Sequence, residues 1–189
     1  MITNRDQLID ALANNSTRIV IDKASIANTV AGQYHSLWRA TGQPGQGAIP
    51  TAAANCNQST VGGMRFSQQT DPTKSYLAYL EATSSNSAMT LEVHDRLMHM
   101  GGLNGTLTTA QTVGLDFNDV TANNMAERIG DADYSDIQWW LEWYTDTGAT
   151  VTTATVAVTY NDGTTGNLTG VSLAATRRAS FMQPLNGLI

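Results

Sequence analysis

Two histidines and a carboxylate crowd one short stretch, His94-Asp95-Arg96-Leu97-Met98-His99. Imidazole and carboxylate are metal ligands, so the first chemistry to weigh is a divalent-cation site. The spacing argues against it. On a strand, positions five apart face opposite sides, and the chain contains neither H-x-H nor H-x-x-x-H. Asp95 and Arg96 read more simply as partners of other side chains near a strand end. Tyr34-His35-Ser36 sets a base beside a hydroxyl, but neighbours on a strand point apart, and no G-x-S-x-G elbow is present. Glu92, Glu142 and Asp146 supply carboxylates for glycosidic acid–base chemistry, yet nothing in their spacing gathers two in one cleft. The glycines between Gly42 and Gly63 lack the G-x-x-x-x-G-K-[ST] pattern and its lysine, so a phosphate cradle is not expected. The expectation is a non-enzyme with no catalytic residue, no metal site and no cofactor.

The elements that hold these residues read mostly as strands. Residues 136–160 carry three of the four tryptophans and alternate with period two. Ile137, Trp139, Leu141 and Trp143 share one face; Gln138, Trp140, Glu142 and Tyr144 share the other. After Thr145-Asp146-Thr147-Gly148-Ala149 the alternation resumes to Tyr160, which predicts a hairpin at the centre of the fold. Trp139 and Trp143 are expected in its core, since an indole buries roughly 150–250 Å². Trp140 and Tyr144 are too aromatic for plain solvent surface, and suit either a second layer of the same chain or a subunit interface. Asn161-Asp162-Gly163 is a strong turn signal, and a strand is expected from Thr165 to Leu173.

Upstream, Thr3 or Asn4 caps a short helix bearing Leu8, Ile9 and Leu12, with Asp6 at its positive end. That helix is marginal alone and must dock on something. Strands are expected at Arg18–Asp22, Gln33–Ala40, Ser75–Thr83 and Ala88–Met98, the last two pairing with each other. A polar strand or connection is expected over 106–113, and a helical turn near 123–129. Residues 42–63 read as one long loop, of the kind held by a neighbouring subunit. The tail from Arg177 to Ile189 reads as an extended arm laid over a surface.

Composition narrows the class. Charged residues make up 14% of the 189, against about 25% in ordinary globular domains. Thr, Ser, Asn, Gln, Gly and Ala fill the difference, which favours extended structure and a surface covered by partners. The formal net charge of −6 excludes a nucleic-acid binder, which needs Lys/Arg clusters; Arg177-Arg178 is the sole basic doublet. One cysteine, Cys56, permits no internal disulfide. No signal peptide is visible, and no apolar run is long enough to span a membrane.

Four stretches in this order resemble short virion proteins of tailed bacteriophages: Y-H-S-L-W-R-A-T-G-Q-P-G-Q-G-A-I-P (Tyr34–Pro50), S-Y-L-A-Y-L (Ser75–Leu80), V-H-D-R-L (Val93–Leu97) and W-L-E-W-Y-T-D-T-G-A-T (Trp140–Thr150). The resemblance covers roughly residues 20–185. It implies a structural role in the particle, most like a capsid decoration (cement) protein that bridges neighbouring subunits. It implies no catalytic residues.

The expected fold is therefore all-β, mainly an antiparallel β-sandwich or jelly-roll-like barrel, with a short N-terminal helix and extended terminal arms. The expected organisation is an arm over 1–16, a domain over 17–180 containing the 42–63 loop, and a tail over 181–189. Expected partners are the major capsid protein and other copies of the chain, as a homotrimer, with no nucleic acid and no membrane. The expected location is the capsid exterior, after synthesis in the host cytoplasm. Interface candidates are Leu8 and Leu12 on the helix, Trp38 and Arg39 in the first motif, Trp140 and Tyr144 on the aromatic face, and Arg177, Phe181 and Leu185 in the tail. A carbohydrate-binding appendage, or a tail or collar module, is the alternative.

Overall fold

The computed structural model describes residues 2–64, 77–85, 88–116, 128, 136–160, 162–173 and 175–185. Among these residues the regular elements are mostly strands, in several small antiparallel sheets, with one short helix. Two compact units divide the chain: Met1–Ile21 with Ile49–Arg128, and Asp22–Ala48 with Ile129–Ile189. The expected helical turn near 123–129 lies outside the described residues, Arg128 excepted.

The first unit opens with α1 (Arg5–Asn14), capped as the sequence suggests. Asn4 is the N-cap, and its Oδ1 accepts from the Gln7 amide at 2.9 Å. Gln7 Oε1 reaches back to accept from Thr3 N at 2.8 Å, so two otherwise orphaned donors are met. No residue of α1 is buried; Leu8, Ile9 and Leu12 stay exposed. Among the unit's described residues, a small sheet pairs β4 (Ala54–Asn55) with β5 (Met98–His99). The strands expected at Ser75–Thr83 and Ala88–Met98 are not paired with each other: of their described residues only Met98 is in a strand, and its partner there is Asn55. Leu77 and Tyr79 are 77% and 73% exposed. Alternation had marked them as strand-competent, but no apolar layer faces them among the described residues.

The second unit holds the core. Here β2 (Tyr34–His35), β6 (Trp140–Glu142) and β9 (Phe181–Pro184) form a three-stranded antiparallel sheet with β9 in the middle. The hairpin β7 (Thr152–Thr159) with β8 (Thr165–Leu173) is a separate antiparallel pair. A small ladder joins β1 (Asp22–Lys23) to β3 (Gly42–Gln43). Leu168, Val171 and Leu185 are buried, and Trp139, Leu141, Ala154, Val156 and Val158 pack on them. Among the described residues no helix is long and apolar enough to cross a membrane.

Two expectations are corrected here. The aromatic strand does not pair with the strand after Gly148: β6 pairs with β9, and β7 with β8. The reason is competition for partners. Tyr160 and Thr164 meet across a tight turn, with Gly163 at φ +83°, Gly163 N donating to Tyr160 O at 3.0 Å and Tyr160 N to Thr164 O at 2.8 Å. Glycine in the left-handed position suits a hairpin turn, which brings β8 to β7 at small closure cost. The loop at 145–149 binds the C-terminal segment instead. Thr147 N donates to Arg177 O and Thr176 N to Gly148 O, both at 2.9 Å, and Asp146 accepts from Ala179 N and Arg178 at 2.8 Å each.

The second correction concerns the tail. Residues 181–185 are no arm over a surface but the central strand of a sheet, with Phe181 6% and Leu185 8% exposed. Trp143 N donates to Phe181 O at 2.9 Å, Ser180 N to Trp143 O at 2.6 Å, and Leu185 N to Trp139 O at 2.8 Å. The expected deep burial of Trp139 and Trp143 is only half met: both are half-buried, one against the core cluster, the other against the Phe181 ring at 5.2 Å.

A consequence follows for truncation. Phe181→Ala is expected to cost about 3–5 kcal/mol, as large aromatic deletions do. Removal of residues 181–189 should abolish cooperative unfolding of the second unit. Urea titration followed by tryptophan fluorescence measures both, and wild-type midpoints in either variant would contradict the placement of β9.

Candidate interaction surface

The residues that first suggested chemistry are dispersed. His94 Nε2 lies 3.1 Å from Glu92 Oε2 on an exposed stretch. Asp95 forms a forked ion pair with Arg128, whose Nε donates to Asp95 Oδ2 at 2.7 Å and whose Nη2 donates to Asp95 Oδ1. Arg128 also donates to the carbonyls of Cys56 at 2.6 Å and Arg96 at 3.2 Å, clipping β4 to the segment before β5. His99 is buried at the Ala54↔His99 register. Among the described residues no group of three or more His, Cys, Asp or Glu could hold a metal ion. Burial pushes the Cys56 thiol up against the pull of Arg96 and Arg128, away from the thiolate that reactivity needs.

One contact does resemble a catalytic dyad. His35 Nδ1 lies 3.1 Å from Ser180 Oγ, and Ser180 sits at φ +80°, a strained position for a side-chain-bearing residue. The serine comes from the far end of the chain, not from the neighbouring Ser36, whose Oγ accepts from Trp38 N at 3.1 Å. Ser180 is only 7% exposed, so its hydroxyl faces protein and not substrate. Its backbone is tied on both sides: its N–H to Trp143 O and its carbonyl to Ser36 N at 2.8 Å. His35 and Ser180 join β2 to the turn that launches β9.

Trp38 and Arg39 have a local role. Trp38 is 8% exposed, and its Nε1 donates to Ala48 O at 3.1 Å. Gly47 lies flat on the indole; a Cβ there would sit 2.0 Å from Trp38 Cε2. Gly47 N donates to Trp38 O at 2.8 Å, and Arg39 Nη1 donates to Gly47 O. Lys23 Nζ closes the same loop by donating to Ala40 O at 3.1 Å and Gly45 O at 3.0 Å. The glycine-rich run through residue 48 is thus folded over Trp38 by its own chain. Of the 42–63 loop expected to be held by a neighbour, residues 45, 47 and 48 are bonded to Lys23, Trp38 and Arg39 of the same chain.

The other interface candidates fall into two groups. Arg177, Phe181 and Leu185 belong to the second unit's interior: the Arg177 guanidinium lies 4.2 Å over the Phe181 ring, a cation–π contact. Trp140 and Tyr144 are half-buried; Trp140 meets Tyr34 edge-on, centroids 5.2 Å apart and planes at 69°. Leu8 and Leu12 are 44% and 45% exposed. They belong to a wider pattern that single motifs did not reveal. Among the described residues twenty-two large hydrophobic side chains are exposed, and all but Val30, Tyr34, Leu37 and Val151 lie in the first unit. Of the six buried hydrophobic residues among those described, Cys56 alone lies there. The shallow depression at the hairpin, lined by Ala157, Val158, Thr159, Thr165, Gly166 and Asn167, holds no titratable group.

No family model, no curated protein and no solved structure matches this chain.

Gly47→Ala should destabilise the fold by about 1–3 kcal/mol, the usual cost of forcing atoms into a packed site; chemical denaturation measures it. The histidines set a pH dependence. Burial lowers the affinity of His35 and His99 for a proton, and the charge of Arg96 adds to this at His99. A base depressed in the folded state favours unfolding once the unfolded chain can protonate. Stability should therefore be full above about pH 6.5, the ordinary histidine value, and fall as pH drops below it. Denaturation midpoints between pH 7.5 and 5.5 should decline in wild type and flatten in His35→Asn/His99→Asn.

Proposed function

We propose that this chain is a decoration (cement) protein of a tailed-bacteriophage particle, binding the outside of the assembled capsid and bracing adjoining copies of the major capsid protein. The observation that carries the reading is the unequal burial of its two units. Ordering a residue costs about 1–2 kcal/mol of backbone entropy, and the first unit's described residues bury almost no apolar side chain against it. A patch beyond a few hundred Å² is uncommon on a monomer and marks an interaction site. Low charge supports the same reading, because a surface destined to be covered has little use for Lys and Glu. The second unit is then the self-supporting part: a reduced β-sandwich or jelly-roll-like body, with the β2–β9–β6 sheet laid on the β7–β8 hairpin across Leu168, Val171 and Leu185. The first unit, with Leu8, Leu12 and the exposed stretches 77–85 and 88–93, is the part laid on capsid. Copies associate as a homotrimer, matching local threefold points of a shell.

The glycan-binding alternative draws on Tyr34 and Trp140. Their planes lie at 69°, so they offer one exposed ring, not a flat two-ring platform for a sugar.

Capsids purified from particles lacking this chain provide the test. Added protein should co-sediment with them at micromolar concentration and raise the temperature at which they rupture. Leu8→Asp/Leu12→Asp should weaken binding at least about tenfold, about 1.4 kcal/mol, with the second unit still folded. Absence of co-sedimentation, or binding to tails or to a glycan array in its place, would overturn the reading.

A further inference from the structure

Both ring nitrogens of His35 are engaged, each by a different part of the chain. Nδ1 lies 3.1 Å from Ser180 Oγ, and Nε2 accepts from Val30 N at a long 3.5 Å. The ring stands edge-on to Phe181, centroids 6.0 Å apart and planes at 70°. A backbone N–H can only donate, so Nε2 must present its lone pair. The imidazole that fits is therefore neutral, with its proton on Nδ1 and donated to Ser180 Oγ. These two contacts fix charge state and tautomer together.

Val30 opens a tight turn. Gln33 N donates to Val30 O at 3.2 Å, and Gly32 takes φ +76°, as the third residue of a type II turn does. The surrounding segment, residues 25–33, has no strand or helix and no buried residue. Among the hydrogen bonds of the described residues, Val30 N to His35 Nε2 is the one that reaches from this segment to the sheet. The strand it reaches, β2, is an edge strand of two residues. Loosening there leaves the β6–β9 pair intact.

Nothing packed around the ring supplies a carboxylate to hold a second proton. Residues 25–33 contain no titratable side chain, and neither does β9. In the turn before β9, Arg178 is paired with Asp146, and Arg177 is a cation already seated over Phe181. On β6, Glu142 shares the Met182 register with Tyr34, which puts it on the sheet face opposite His35. Burial also lowers the affinity of His35 for a proton. Protonation would set N–H against N–H at Val30, while Nδ1–H could still donate to Ser180. The conflict falls on the Val30 side alone.

We infer that His35 is a proton-operated latch: neutral, it ties the 25–33 segment to the sheet through Val30; protonated, it lets that segment go while the rest of the second unit stays folded. A base that is harder to protonate when closed keeps the latch shut above about pH 6.5, the ordinary histidine value, and weakens it as pH falls from there. The inference is independent of any role on a capsid.

Nitrogen-15 spectra of the imidazoles in the purified full chain provide the test. At pH 7.5 His35 should show a protonated Nδ1 and a bare Nε2. Between pH 7.5 and 5.0 the Val30 amide resonance should move with the midpoint of His35. Its protection from hydrogen exchange, corrected for intrinsic rates, should fall about tenfold, the worth of one hydrogen bond. The Val156 and Met182 amides and the tryptophan fluorescence should hold steady. His35→Gln, whose amide oxygen can accept from Val30 but cannot titrate, should keep the segment tied at both pH values. His35→Asn, too short to reach Val30, should leave it loose at both. The opposite tautomer, a Val30 amide that ignores His35, or unchanged Val30 titration in His35→Gln would overturn the inference. So would loss of the Val156 and Met182 signals over the same range, which would mean global unfolding in place of a local release. The wild-type titration decides the matter even where a variant fails to fold.

Discussion

The second unit depends on the pairing of one short strand. Phe181 to Pro184 sits between residues 34–35 on one side and 140–142 on the other, so three distant parts of the chain become a sheet only when β9 is in place. Side chains reinforce the backbone there. Phe181 takes the Trp143 ring at 5.2 Å, the His35 ring at 6.0 Å and the Arg177 guanidinium at 4.2 Å, while Leu185 closes the cluster of Leu168 and Val171. Contacts this distant in sequence cost loop entropy before they return any stability. The turn before β9 lowers that cost by fixing its direction. Thr176 at φ +57° and Ser180 at φ +80° bend the chain, Asp146 holds Ala179 and Arg178, and His35 holds Ser180. Hydrogen bonds to Asp146 from the Ala179 amide and Arg178 pull its carboxyl below the usual carboxylate range.

What the sequence disclosed, and what it withheld, follows from the range of each interaction. The cap of α1, the β7 and β8 strands and the glycine of the 160–164 turn depend on residues a few positions apart, and each is legible in a short window. The face assignment inside β7 is equally legible, because alternation is a property of one strand. The partner of a strand is not. Trp139 to Trp143 announces a strand with two apolar faces, but nothing in those residues distinguishes β7 from β9 as neighbour. Phe181 and Leu185 fell near the chain end among polar residues, a context that reads as an arm; only the sheet shows that the arm is the middle. Trp38 resisted in another way. Its motif is memorable for aromatic and glycine content, and that content serves packing: the glycine is there because the indole leaves no room for a Cβ.

The dispersal of the titratable groups has the same logic. His94, Asp95 and His99 sit within six residues yet take three environments: one exposed beside Glu92, one paired with Arg128, one buried in a two-residue ladder. Sequence proximity on an extended chain separates side chains, because consecutive residues face apart and each finds its own partner. The partner of Asp95 is 33 residues away, and no local signal marks Arg128 for it. The His35–Ser180 contact spans 145 residues and was equally invisible. Its geometry places the pair in structure: Ser180 is buried, and its backbone is bonded on both sides.

The contrast between the two units bears on how such a chain can work. A unit with a core keeps one shape whether or not a partner is present, while a unit that buries little must take its order from what it binds. The ordering cost is then met at the moment of binding, which lowers affinity for any single site and permits a long, conforming contact. On the proposed reading that division is useful. A brace must survive in solution before the shell exists, and must also follow the slightly different surfaces that neighbouring capsid subunits present. The strands of the core unit and the apolar but unlayered segments of the other meet those two demands separately.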